Sequence, residues 1–357
     1  MDEQIVDATS VPDFNSLSEE ERLELISADY LEKSGYTTTY NKEWIIQGLI
    51  KPGLSHLLLG KPQRGKSLIA DQMAICISSG KPFLNKFPVK KGKVVLIDED
   101  TPTEVLTNRL ERFANCVGRD LESLPLEWQS LTGWKLTPRS IADLARKNAD
   151  LVILDTISAI SSGNLNQTVD AAEASRLLTQ LKKTTTILTT HHLTLKENED
   201  DLRLLSSSVD CTRWAMGNTM LIGHSDTAFV TLQVRKNEFV IRPIPRRIPL
   251  DIDNFGIKIF EDEKKTFLWL LYESFHHTDG HAKLIVKLFQ DHPNDFYTVK
   301  SAMEATGAVL SDWQLRDALR DLLASNHIEM GREHHNRFKY TLKKTGSNKK
   351  KITGSKR

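Results

Sequence analysis

Eight consecutive residues carry the most specific chemistry in the chain: Gly60, Lys61, Pro62, Gln63, Arg64, Gly65, Lys66 and Ser67. They read G-x-x-x-x-G-K-S, the pattern of a phosphate-binding loop. Glycines at these positions let backbone N–H groups turn inward on an anion, and the N-terminus of a following helix, with Leu68 in its first turn, adds its own unpaired donors. The Lys66 ammonium would reach the β- and γ-phosphates of a nucleotide, and the Ser67 hydroxyl would offer an oxygen to Mg²⁺. The expected ligands are therefore the phosphates of a nucleotide and Mg²⁺. Two further groups of carboxylates fit that chemistry. Asp150-Leu151-Val152-Ile153-Leu154-Asp155 is an apolar run ending in an aspartate, so Asp155 would stand at the carboxyl end of a buried strand and hold Mg²⁺ through water. Asp98-Glu99-Asp100 closes another apolar run, and three adjacent carboxylates call for a compensating cation.

These residues need strands and helices to position them. Leu54 to Leu59 reads as a buried strand before the loop, and Lys66 to Ser79 as a buried helix after it. Lys93 to Ile97 predicts a strand, Thr103 to Val117 a helix bearing Arg109 and Arg112, Leu126 to Leu131 a strand and Pro138 to Lys147 a helix. The strand Leu151–Leu154, a helix Asp170–Lys183 and a β-branched strand Thr184–Thr190 ending in His191-His192 follow. Alternation of this kind implies a parallel sheet. Val209–Trp214 reads as a short helix; Asn218–Ile222, Thr227–Arg235 and Phe239–Ile241 read as three hairpin-spaced strands, an antiparallel extension.

The chain has 357 residues, enough for two domains and an arm, with 39% hydrophobic and 27% charged residues and a net charge of +1. Cys76, Cys116 and Cys211 have no paired spacing, which suits a reducing, cytoplasmic setting. No run resembles a signal peptide or a membrane span. The expected organisation is an N-terminal arm over 1–40, an ATPase domain over 41–245, a linker over 246–260 marked by prolines, a small domain over 261–342 and a basic tail over 343–357. The arm carries a short amphipathic helix after a Ser18–Glu21 capping box, to be buried in its own domain or on a neighbouring subunit. In the small domain, helices Lys264–Phe275, His281–Gln290, Tyr297–Met303 and Ser311–Ala324 precede a two-stranded wing of Ile328–Met330 and Phe338–Leu342, a winged-helix pattern. The tail holds seven Lys/Arg and no acid, a composition that strengthens nucleic-acid binding without specificity. His276-His277 with His281 fits no common zinc spacing and reads as a polar loop.

Taken together, Trp44 to Gly48 with Gly60 to Ser67, Val94 to Leu110, Leu151 to Thr156, and His191-His192 followed by Ser206–Asp210 and Arg213-Trp214 resemble a RecA-type ATPase, and within that class the plasmid RepA-like replicative helicases. The resemblance spans about 44–240 and does not include the winged-helix end. It implies a RecA-like α/β core in a homo-hexameric ring, with ATP between neighbours and single-stranded, or also duplex, DNA as partner. It places Asp100 where these families carry a glutamate that orients the attacking water; the side chain is one methylene shorter, and Glu99 stands beside it as the second candidate. His192, with His191 as its neighbour, matches a γ-phosphate sensor, and Arg213 a finger reaching the next subunit's site, for which Lys236 is a weaker alternative. The DNA-contacting loop would be 193–208, yet Lys196 and Arg203 there are outnumbered by Glu197, Glu199, Asp200 and Asp201, a poor electrostatic groove. The implied activity is that of an ATP-driven replicative DNA helicase of a plasmid, phage or other mobile element. The alternatives are a non-translocating ATP switch, such as a recombination mediator, and a regulator whose winged helix binds protein.

Overall fold

The computed structural model describes residues 44–193, 219–250, 252–273, 280–291, 301–302, 312–324, 327–332 and 338–342. They form two units, one built on the described residues from 44 to 273 and the other on those from 280 to 342. The expected arm, the loop beyond Leu193, the helix 209–214 with Arg213, the His276-His277 stretch, most of the helix 297–303 and the basic tail lie outside the described residues.

The first unit is built on a nine-stranded sheet. In chain order its strands are β1 (Ser55–Gly60), β2 (Val94–Asp98), β3 (Leu126–Ser130), β4 (Leu151–Asp155), β5 (Thr186–His192), β6 (Thr227–Arg235), β7 (Glu238–Pro245), β8 (Phe255–Glu261) and β9 (Leu268–Glu273). Their order across the sheet is β3-β2-β4-β5-β1-β6-β7-β8-β9. The first six run parallel, and β6 to β9 form an antiparallel extension. β5 therefore lies between the strand before the phosphate loop and the strand ending in Asp155. β1, β2 and β4 are buried along their whole length, as apolar strands covered on both faces must be. Helices α1 (Lys66–Ser79), α2 (Thr103–Cys116), α3 (Pro138–Arg146), α4 (Ile157–Ile160) and α5 (Thr168–Lys182) connect the parallel strands. α3 starts on Thr137, whose hydroxyl accepts the Ser140 N–H, with Pro138 in its first turn where a missing N–H costs nothing.

The departures from expectation cluster after residue 218. Thr219–His224 is a 3-10 segment, not a strand; a short apolar run does not by itself distinguish the two. β7 runs through Pro243 and Pro245. Only Glu238–Ile241 of β7 pair with β8, so the prolines fall where β7 is an edge and lacks no needed donor. The expected linker 246–260 contains all of β8 but Glu261, and the expected helix 264–275 contains β9. Phe267 to Tyr272 is a continuous apolar, aromatic-rich run that suits a buried strand as well as a helix. Asp262 makes the turn between β8 and β9: its carboxylate accepts the Phe267 N–H (2.7 Å) and its carbonyl accepts the Lys265 N–H (3.0 Å). Trp269 is buried edge-on to Phe113 of α2 (6.1 Å), and Gln72 Nε2 of α1 donates to the Leu270 carbonyl (2.9 Å). The sheet extension thus roofs α1 and α2, the helices that carry the site.

The second unit contains α6 (Gly280–Asp291) and α7 (Asp312–Ala324) with an antiparallel pair, β10 (Ile328–Arg332) and β11 (Phe338–Leu342). Ile285, Phe289, Leu315, Leu319 and Leu322 are buried, the last three on the apolar face that their helical spacing makes on α7. Among the described residues no helix is long and apolar enough to cross a membrane.

Candidate functional site

The phosphate loop joins β1 to α1, and each of its two glycines is required sterically. Gly65 caps α1 in the left-handed region (φ 76°). A Cβ on Gly60 would come within 2.6 Å of the Thr231 methyl on β6. Thr231 also donates from Oγ1 to the Arg64 carbonyl (3.0 Å), and the Arg64 guanidinium donates to Gln233, so β6 braces the loop from one side. Pro62 and Gln63 form the exposed apex, with Gln63 also at positive φ (57°), and Ser67 is half-buried in the first turn of α1. Lys66 is only 4% exposed; its Nζ donates to the carbonyls of Gly60 (3.1 Å) and Lys61 (2.9 Å). Burial lowers its pKa to about 8, against the opposing charges of Asp155 and Asp100. An ammonium held by two carbonyls and two carboxylate fields is poised to exchange those carbonyls for phosphate oxygens.

Asp155 ends β4, paired in register with Asp98 at the end of β2. It is buried; Thr190 of β5 donates to its Oδ1, while Oδ2 has no partner among the described residues. An orphaned buried carboxylate oxygen is costly unless a cation or water fills the gap. With the Ser67 hydroxyl, this donor set fits Mg²⁺, which typically keeps several waters and takes one or two protein oxygens beside phosphate. Among the described residues no group of three or more His, Cys, Asp or Glu is arranged to hold a metal alone.

Asp100 and Glu99 differ sharply. The Glu99 carboxylate accepts three hydrogen bonds, from Thr132 N (3.0 Å), Thr132 Oγ1 (2.8 Å) and Gly133 N (2.9 Å), and so ties down the loop after β3. The Asp100 side chain is 58% exposed, and its Oδ2 lies 4.0 Å from His192 Nε2. His192 ends β5 with its Nδ1 buried and without a partner among the described residues. Burial, then the Lys66 charge, lower its pKa, so the ring is held neutral. The structure thus brings Lys66, Asp100, Asp155 and His192 into one electrostatic cluster and turns Glu99 away from it. His191 is buried in β5. Lys236 is exposed in the β6–β7 turn, and Arg213 lies outside the described residues.

The cation called for by the carboxylate cluster is Arg109 of α2. Its Nε lies 2.8 Å from Asp71 Oδ2 on α1, and its Nη2 lies 3.5 Å from Asp98 Oδ2. Burial pushes the Asp71 carboxyl up to about 8, opposed by Arg109. Burial, with Asp155 beside it, pushes Asp98 up to about 6, opposed by the N–H donors of Asp100 and Thr101. Asp71 and Thr190 did not stand out in the sequence. The available signal for Asp71 was a carboxylate four residues after Ser67, inside an otherwise apolar helix.

Three comparisons bear on this site. The family model described as "AAA domain" matches residues 19–198, half of the chain. Among curated proteins, no sequence matches this chain. Among solved structures, one described as an ATPase domain is similar at a TM-score of 0.46 and 12% identity, covering 60% of this chain and 82% of that one. The KaiC-like protein PH0186 of Pyrococcus horikoshii OT3 is similar at 0.42 and 14%, covering 64% and 93%.

Proposed function

The chain belongs to the AAA domain family and is a P-loop ATPase, and from that premise we propose that it is an ATP-driven DNA motor, a ring-forming replicative helicase of a mobile element. The observation that carries this reading is the place of His192. It ends the strand between the phosphate-loop strand and the Asp155 strand, faces Asp100, and shares a field with Lys66. A neutral imidazole there would meet the γ-phosphate and pass its presence into the chain that follows β5.

In the proposed reaction, the loop N–H groups and Lys66 hold the triphosphate, and Asp100 orients a water in line with the γ-phosphate. Ser67 and Asp155 would hold Mg²⁺, whose contribution when bound is to offset charge on the phosphate oxygens. Arg213 is the proposed finger from a neighbouring subunit, with Lys236, on the exposed turn beside the loop-bracing strand, as the second cation of that kind. DNA contact is assigned mainly to the second unit and the basic tail, because the segment 193–208 carries excess acid.

Displacement of a strand from a forked duplex by the full chain with ATP, compared with Lys66→Ala, tests the motor. Displacement only by the wild type supports it. ATP-dependent DNA binding without displacement would leave the non-translocating switch in its place.

A further inference from the structure

We propose that Arg109 is a positioning residue for hydrolysis, acting through Asp98 to fix the backbone from which Asp100 reaches into the site. The proposal rests on the ATPase reading above and goes beyond it.

The contacts form a continuous chain. Asp71 lies one helical turn after Ser67 on α1, and its carboxylate meets Arg109 Nε (2.8 Å). The other edge of the same guanidinium reaches Asp98 Oδ2 (3.5 Å). Asp98 Oδ1 then accepts the N–H groups of Asp100 (2.9 Å) and Thr101 (2.8 Å), an Asx turn that sets the direction of the chain leaving β2. One planar cation thereby links the helix holding the phosphate loop to the turn holding Asp100. Asp71 and Asp98 are each about 1% exposed at the side chain and Arg109 17%, so the bridge is largely shielded from water.

A shielded bridge matters more for an aspartate than for a glutamate. The Asp100 carboxylate is exposed, so packing does not fix it, and with only two side-chain torsions it has little freedom to correct a backbone shift. A displacement of about 1 Å in a water-orienting group costs about a hundredfold in rate. Lysine does not replace the bridge, because a single ammonium lacks the two-edged planar fork.

The test is a kinetic cycle on the full chain with Arg109→Gln, Asp98→Ala and the double variant, read as kcat, KM for ATP, affinity for a fluorescent ATP analogue, and unfolding midpoint. The expected result is a fall in kcat of about tenfold to a hundredfold in Arg109→Gln, with nucleotide affinity within about twofold. The double variant is expected to be no slower than Asp98→Ala alone. Multiplying losses, an unchanged kcat, or a kcat that falls only together with affinity and midpoint overturns the proposal. If Arg109→Gln does not fold, Arg109→Lys carries the test: a lowered kcat at wild-type affinity supports the bridge, and wild-type kcat overturns it. Asp100→Asn separates the two claims. If it turns over ATP like the wild type, the site reading fails; if it is inactive while Arg109→Gln keeps full kcat, only the positioning role fails.

Discussion

The two ends of β1 hold buried polar groups in opposite states. At the amino end, Lys51 N–H donates to His56 Nε2 (3.2 Å), and His56 Nδ1 lies 2.6 Å from Thr227 Oγ1. Asp226 accepts from Ser55 N (2.9 Å), Lys182 Nζ (3.0 Å) and Arg247 Nη1 (3.3 Å). There Ser55 Oγ lacks a partner among the described residues, but each charged group is paired. At the carboxyl end, Asp155 Oδ2 and His192 Nδ1 are buried and unpaired among the described residues, and Lys66 is satisfied by loop carbonyls it can release. Buried polar groups that are fully paired hold a fold together; those left open are kept for something that arrives. The same strand therefore ends in paired structure on one side and in the proposed chemistry on the other.

Variants at the two ends should separate activity from stability. The largest effect is expected from Lys66→Ala, which removes the cation proposed to meet the phosphates: ATP turnover should fall by at least about a hundredfold, while the unfolding midpoint stays near wild type. Next, Asp100→Asn should cost about a hundredfold in kcat, and Asp100→Glu should stay within about tenfold of wild type. Glu99→Gln should cost less than Asp100→Asn, because its carboxylate braces Thr132 and Gly133; the reverse ranking in steady-state kinetics would exchange their roles.

The amino end predicts the opposite signature. Burial lowers the His56 pKa from 6.5 to about 4. A base with a depressed folded pKa contributes stability that is fully present above the unfolded value of 6.5 and is lost as pH falls toward 4, because the unfolded chain takes up the proton first. Between pH 7 and pH 5 this one group should cost about 2 kcal/mol. Denaturant unfolding should show that loss in the wild type relative to His56→Gln, with KM for ATP unchanged in the variant at pH 7. The smallest effect is expected from Arg247→Ala, which removes a half-exposed partner from Asp226 and should lower stability by less than about 1 kcal/mol.

The carboxyl end was largely legible in the sequence because its chemistry is local: Gly60 to Ser67 and Leu151 to Asp155 each carry their signal in one short run. Where Glu99 and Asp100 point was not, because adjacent residues differ only in which way the chain turns them, and Asp98 accepts the N–H groups of that turn. The bridge through Asp71 and Arg109 joins residues 38 apart in the chain, and only packing of α1 against α2 brings them together. Thr231 and Phe239, which crowd Gly60 and Gly65, are still more distant in sequence. β8 and β9 were missed for different reasons: the prolines Pro243, Pro245 and Pro249 made the stretch holding β8 read as a linker, and the continuous apolar run of β9 has no periodicity to separate strand from helix.

The most direct measurement is calorimetric titration of the full chain with a non-hydrolysable ATP analogue, with and without Mg²⁺, in the wild type and in Asp155→Asn. The account predicts one nucleotide per chain, bound more tightly with Mg²⁺ in the wild type, and a Mg²⁺ effect that disappears in Asp155→Asn. No binding in the wild type, or a Mg²⁺ effect that survives in Asp155→Asn, would contradict it.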